Sequence, residues 1–258
     1  MRDKPELTWE TMRRMQDMSW FDWAQIFDDL LIVAQRETNC FVWKTSEGLA
    51  VFDGIWPDAA AYLAIRSAIT EAGWDPDAIR KFFITHGHPD HTGCGKWLKE
   101  RHNAETFLSQ RDERYWREQE ETGPDFPIDR YVSDGDTIDC GGKSVTVVST
   151  PGHTPGCVSY LFPVHDRGKR HLAALFGGAT PPWGDAEGTQ LHLRSLERFV
   201  SAAGKLGADV PLTNHTAFDN GLIRMAYSKA RYPYLPNIYI TGQEGFSRFC
   251  EVFRAVCE

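Results

Sequence analysis

Three histidines and an aspartate fall within six positions of the segment THGHPDHTG: His86, His88, Asp90 and His91. Imidazole and carboxylate are donors that zinc takes, and four such groups are costly to bury together unless they bind something. Two more histidines have similar settings. His153 lies in STPGHTPG, directly after the β-rich run SVTVVST, and His215 closes the run DVPLTNH. With KFFITH, three strand-like runs therefore end in histidines on loops broken by Gly, Pro or Asn. Strand-end loops over a rigid scaffold are where α/β proteins assemble sites. Six donors are too many for one tetrahedral ion and suit two ions roughly 3.5–4 Å apart, as in two-metal hydrolases. His86 and His88 alternate on an extended segment and can face the same way, while Asp90 and His91 follow at a turn. The remaining histidines, His102, His165, His171 and His192, read as surface or packing residues.

The elements that must position these groups are legible in outline. Residues 7–30, rich in Met, Trp and Phe partly at helical spacing, predict a helix lying over the core, or an arm that caps a substrate cleft or a dimer partner. NCFVWKT and LAVFDG, separated by SEG, predict a hairpin. Asp58 is a candidate N-cap for a helix over Ala59 to Glu71, with Gly73 just past its end. KFFITH and AETFLS predict strands, TGCGKWLKERH a helix, RDERYWREQEE an exposed helix, and TGPDFPIDR a loop. KSVTVVST, CVSYLFPV and HLAALFGG predict three more strands, with the turn HDRGKR joining the last two. Leu193, Leu196, Phe199 and Val200 are spaced for a helix ending at Gly204 or Gly207, and DVPLTNH closes the set of strands. In the tail, Phe246, Phe249, Val252, Phe253 and Val256 predict one apolar helical face. The expected organisation is one mixed α/β domain over 1–258, with a helical arm at 1–29, a core at 30–218 and a helical extension at 219–258.

Composition narrows the function classes. The chain has 258 residues, 41% of them hydrophobic and 25% charged, enough for a substantial core. A net charge of -8 without a Lys/Arg cluster disfavours nucleic acid and anionic membrane as partners. The six cysteines form no CxxC pair and read as reduced thiols. The N-terminal MRDKPELTWE lacks the apolar stretch of a secretory signal, and no apolar run approaches the ~18 residues of a spanning helix. A cytoplasmic protein is expected; its oligomeric state is not legible.

THGHPDHTG resembles the HxHxDH signature of the metallo-β-lactamase superfamily, TPGHTPG its second histidine motif and LTNH its last, over about residues 30–218. The resemblance implies an αββα sandwich with metals at one edge of its two sheets. It implies two zinc ions per chain, one on His86, His88 and His153 and the other on Asp90, His91 and His215. Asp53, in FDG, matches a carboxylate that orients ligands without donating to metal. Asp90 would also serve catalysis, orienting the nucleophile or carrying its proton. Most di-zinc members place a bridging Asp where this chain has Gly178-Ala179-Thr180, which speaks against the glyoxalase-II-like and acyl-homoserine-lactonase-like branches. The chain is most similar to the third subclass of metallo-β-lactamases, which lack that acid, and LGADVPLTNHTAFD resembles their final motif. Ala179, Thr180 and Pro181 stand where that subclass keeps serines for the substrate carboxylate, so the native substrate is expected to differ from an antibiotic. The implied activity is hydrolysis of an amide or lactam, lactone or ester by a hydroxide held between the zinc ions. Trp56, Thr180 and Trp183 are candidate substrate contacts, with core packing the rival reading of the tryptophans. Two other classes compete: a non-catalytic metal-binding protein, suggested by the missing acid, and a nuclease of the same superfamily.

Overall fold

The computed structural model describes residues 19–118, 125–231 and 234–257. It begins with an antiparallel meander of β1 (Asp22–Phe27), β2 (Leu30–Gln35), β3 (Thr38–Thr45) and β4 (Gly48–Phe52). The last two strands are the expected hairpin, and Gly48 turns the chain at φ 126°, a conformation that side chains rarely adopt. From β4 the chain switches to parallel crossovers. Helix α1 (Ala59–Glu71) leads to β5 (Ile79–Phe83), α2 (Pro89–Thr92) and α3 (Gly95–His102) to β6 (Glu105–Leu108), and α4 (Gln110–Glu118) to β7 (Arg130–Tyr131). These seven strands lie in chain order in one sheet. The second sheet holds β8 (Thr137–Asp139), β9 (Ser144–Ser149), β10 (Val158–Asp166) and β11 (Lys169–Phe176), all antiparallel. Helix α5 (Ala186–Lys205) then returns β12 (Val210–Thr213) parallel to β11, followed by α6 (Gly221–Ala230) and α7 (Gly242–Val256).

Period-two alternation divides each sheet between two apolar layers. On β3, Phe41 and Trp43 face the core between the sheets, while Cys40 and Val42 face an outer layer shared with Ile65 and Ile69 of α1 and Leu98 of α3. Between the sheets Phe52 stacks on Phe83 at 5.0 Å and on Phe162 of the opposite sheet at 4.3 Å. Beyond the second sheet, Leu161 and Phe176 pack on Leu196 and Phe199 of α5 and on Phe246 and Phe253 of α7. Helices thus cover both outer faces, giving the expected αββα sandwich. Helix α1 has the expected bounds, because the Asp58 carboxylate accepts from Ala60 N at 2.8 Å and Gly73 leaves the helix at φ 73°.

Three expectations need correction. The helical reading of residues 7–30 fails at its C-terminal end, where Asp22–Phe27 is strand β1. Ala24 and Ile26 enter the inter-sheet core while Trp23 packs on the outer layer, and pairing with β2 fixes that alternation. The helical arm at 1–29 is therefore wrong over Asp22–Phe27, and the sheet core begins before residue 30. The part before residue 19 lies outside the described residues. Helix α4 is not simply exposed, since Asp112, Glu113 and Trp116 are buried. On α7 the buried side chains are Phe246, Cys250 and Phe253, whereas Val252 is exposed. Among the described residues no helix is long and apolar enough to cross a membrane.

Candidate metal centre

All six sequence-predicted ligands meet at one edge of the sandwich. His86 follows β5, His88 is the N-cap residue of α2, and Asp90 and His91 lie within that helix. His153 comes from the loop after β9. His215 follows β12 and forms an isolated bridge with Thr38, which ties the two sheets together at the site. Two groups result, His86–His88–His153 and Asp90–His91–His215, with the ligand atoms of each within 4.8 Å of one another. His88 Nδ1 and His153 Nε2 are 3.1 Å apart, and His91 Nε2 and His215 Nε2 are 3.2 Å apart. The edge of a tetrahedron with zinc–nitrogen bonds of 2.0–2.1 Å is about 3.3 Å, so the spacing suits that ion.

The hydrogen-bond network fixes which nitrogen of His86, His91 and His153 is hydrogen-bonded outward. Thr85 Oγ1 donates to Asp53 Oδ2 at 2.9 Å, so toward His86 Nδ1, also at 2.9 Å, it acts as acceptor. His86 Nδ1 then carries the proton, and Nε2 is buried with no hydrogen-bond partner among the described residues. By the same logic His91 Nδ1 donates to Asp53 Oδ2 at 2.9 Å, and His153 Nδ1 to the Thr180 carbonyl at 2.8 Å. His88 Nε2 meets the Tyr115 hydroxyl at 3.0 Å, leaving Nδ1 to face His153, and His215 bonds the backbone of Glu37. In each ring an outer nitrogen is anchored and an inner one points at the cluster, the arrangement by which supporting groups orient metal-binding histidines.

Protonation agrees with that picture. Burial pushes His86 and His153 well below the usual imidazole range and His88 and His215 down to about 4, so these rings keep a free lone pair at neutral pH. Asp90 is buried, which alone would raise it, but His91, His215 and His88 outweigh burial and hold its carboxyl below the usual range. His91 moves the other way. Burial lowers it, yet the Asp90 and Asp53 carboxylates together raise it.

Several supporting residues were not singled out from the sequence. Asp53 was, and it is a buried hub: Oδ1 accepts from Thr85 N at 2.8 Å, while Oδ2 takes Thr85 Oγ1, His91 Nδ1 and Asn214 Nδ2. Asn214, adjacent to His215, also donates to the Gly177 carbonyl at 2.8 Å. Asp112 of α4 accepts from Gly87 N at 2.6 Å, Gly156 N at 2.7 Å and Thr154 Oγ1 at 3.0 Å. It thus clamps the loop of His86 and His88 to the loop of His153. The clamp is too tight for side chains: a Cβ at Gly156 would lie 2.4 Å from Asp112 N, and one at Gly87 2.8 Å from Trp116 Cβ. Asp112→Ala would leave three buried donors without an acceptor, each worth about 1–3 kcal/mol. The expected result is a lower melting temperature together with zinc affinity at the first cluster weaker by roughly 10–100-fold, read by chelator competition.

Over the two clusters lies a cavity of about 640 Å³. Trp56, Thr180 and Trp183, the candidate substrate contacts, all line it; Trp56 is buried and Trp183 is 73% exposed at its mouth. Glu37, Thr38, Tyr115 and Phe218 line it as well, and sequence reasoning had not singled them out. His102, His165 and His171 pair elsewhere with Tyr62, Asp29 and Asp209, and His192 is buried in α5.

Residues 33–167, more than half of the chain, match the family model of the metallo-beta-lactamase superfamily. The chain belongs to that superfamily. Curated relatives of this superfamily member include the hydroxyacylglutathione hydrolases of Chelativorans sp. (strain BNC1), 35% identical over 106 residues, and of Brucella anthropi, 38% identical over 108. The matches cover 41% and 42% of the chain and only 36% and 35% of those proteins, so the chain spans about a third of the length of the curated relatives it matches. Among solved structures, the subclass B3 metallo-beta-lactamase BJP-1 of Bradyrhizobium japonicum is similar with a TM-score of 0.76 at 23% identity, covering 93% of this chain and 94% of that one. FEZ-1 of Legionella gormanii gives 0.77 at 17% identity, covering 91% and 93%. At such identities the likeness is one of fold. The superfamily places the chain among metallo-hydrolases.

Proposed function

We propose that this protein is a zinc-dependent hydrolase that binds two zinc ions and cleaves an amide or lactam, lactone or ester bond of a small molecule. The observation that carries the reading is the inward-facing nitrogen on each ring of the paired clusters, with the anionic Asp90 completing the second. Zinc held there polarises a carbonyl and makes water nucleophilic near neutral pH.

The chain's own residues supply the rest. Thr85, Asp53 and the Thr180 carbonyl hold His86, His91 and His153 with their outer nitrogen bonded and their inner one facing the cluster, and Tyr115 anchors the outer nitrogen of His88. Asp90 Oδ2 accepts from Thr38 Oγ1 at 3.3 Å and lies at the cavity wall, placed to take a proton from an attacking water. Trp56 and Phe218 exclude solvent from the reacting end. The names of the relatives support carbonyl hydrolysis, and Gly178-Ala179-Thr180, without an acid, favours a subclass B3-like arrangement over the hydroxyacylglutathione hydrolases.

Mass spectrometry after zinc reconstitution should find two zinc ions per chain. Hydrolysis in a screen of lactams, lactones, thioesters and aryl esters should vanish with chelator and return with zinc. One ion or none, with no activity, would replace this reading by a non-catalytic metal-binding protein.

A further inference from the structure

We propose that the cavity selects substrates that are uncharged away from the scissile bond and carry a flat or apolar group, and that Glu37 enforces the selection. This rests on the hydrolase reading above and goes further by naming the substrate class. The walls are Trp56, Tyr115, Pro181, Pro182, Trp183 and Phe218, an apolar surface broad enough for a ring or an alkyl chain. Their charged groups are two acids, Asp90 among the clusters and Glu37 exposed at the rim. No Lys or Arg is among the described lining residues, and Arg36, beside Glu37 in sequence, does not line the cavity.

The neutral hydroxyls of the lining sit against groups of the site. Thr38 Oγ1 bonds Asp90, Thr180 Oγ1 lies 3.2 Å from His153 Nδ1, and the Tyr115 hydroxyl meets His88 Nε2. A carboxylate on the remote part of a substrate would lose water here and meet no cationic side chain among the described lining residues, an unfavourable transfer. Glu37 adds like-charge repulsion at the entrance. An uncharged ring or chain loses nothing comparable and gains apolar contact.

The test uses the zinc-loaded full chain and two matched pairs of probes. The first pair is 4-nitrophenyl heptanoate and mono-4-nitrophenyl adipate, compared by kcat/KM. The second is benzamide and 4-carboxybenzamide, compared by equilibrium binding through quenching of tryptophan fluorescence. The uncharged member of each pair should be favoured, at least tenfold in kcat/KM and at least fivefold in Kd. Glu37→Lys should narrow both ratios at least threefold. The Glu37 side chain is at the rim, and its backbone bonds to Thr216 and His215 survive the substitution. Equal or better use of the carboxylate member in either assay overturns the inference and leaves the hydrolase reading standing, as does binding of neither amide at millimolar concentration. Discrimination between the amides with neither ester cleaved by the zinc-loaded protein upholds the selection and counts against the hydrolase reading.

Discussion

Asp90→Asn is expected to lower kcat by at least about a hundredfold, the range of a lost proton-transfer group, while moving the melting temperature of the metal-free protein by only a few degrees. The asymmetry follows from the surroundings of the side chain. Its carboxylate is buried, lies 3.4 Å from His91 Nε2 and 3.8 Å from His215 Nε2, and accepts one hydroxyl bond, from Thr38. An asparagine carbonyl can still take that hydroxyl in the same volume, so packing is nearly conserved. It cannot accept a proton from water near neutral pH, and it is a poorer donor to a cation. Zinc stoichiometry separates the two losses. Loss of turnover with two zinc ions still bound assigns the effect to proton handling, whereas loss of one ion assigns it to ligation. Near-wild-type turnover with both ions bound would refute the role given to Asp90.

The site was legible where its chemistry is local and illegible where it depends on folding. HGHPDH announces itself because four ionisable groups in six positions have few uses other than a ligand. His153 and His215 could be added because each ends a recognisable apolar run. Asp112 could not: RDERYWRE reads as a charged surface helix, and only the docking of α4 brings its carboxylate to Gly87, 25 residues away, and to Gly156, 44 residues away. Thr85 and Asn214 were hidden likewise, being common polar residues whose value lies in sharing Asp53. The fold shows the same division. Asp58 to Gly73 carries its own start and stop signals, so α1 was placed from sequence. Asp22–Phe27 carries none, and its apolar residues suit either period until β2 pairs with it. His192 was read as ordinary, yet both its ring nitrogens are buried with no hydrogen-bond partner among the described residues, a burial that its sequence neighbours do not signal.

That burial and the two clusters together make acid the sharpest stress on the metal-free protein. His86, His88, His153, His192 and His215 are all held below the unfolded imidazole value of 6.5 by burial, with His88, His192 and His215 at about 4. The folded state then binds fewer protons than the unfolded one between 6.5 and about 4. The stability these rings contribute is complete above 6.5 and is lost as pH falls through that window. Asp112 and Asp219 act in the opposite sense. Burial raises both to about 6, so each favours the folded state increasingly as pH falls from about 6 toward 3.8. These imidazoles outnumber the two carboxyls, so on balance the folded state loses stability as pH falls through that window. With a typical stability of only about 5–15 kcal/mol to lose, the metal-free chain is expected to unfold in acid. Circular dichroism against pH should show the midpoint between 6.5 and 4. Zinc should move it downward, because the bare nitrogens it occupies must be released before they can be protonated. His192→Leu, outside both clusters and beside the Phe176 ring at 5.7 Å, should flatten the acid limb with or without zinc. A metal-free chain still folded below pH 4, or an acid midpoint indifferent to zinc, would mean that the buried imidazoles do not control stability and that the clusters do not hold the ion.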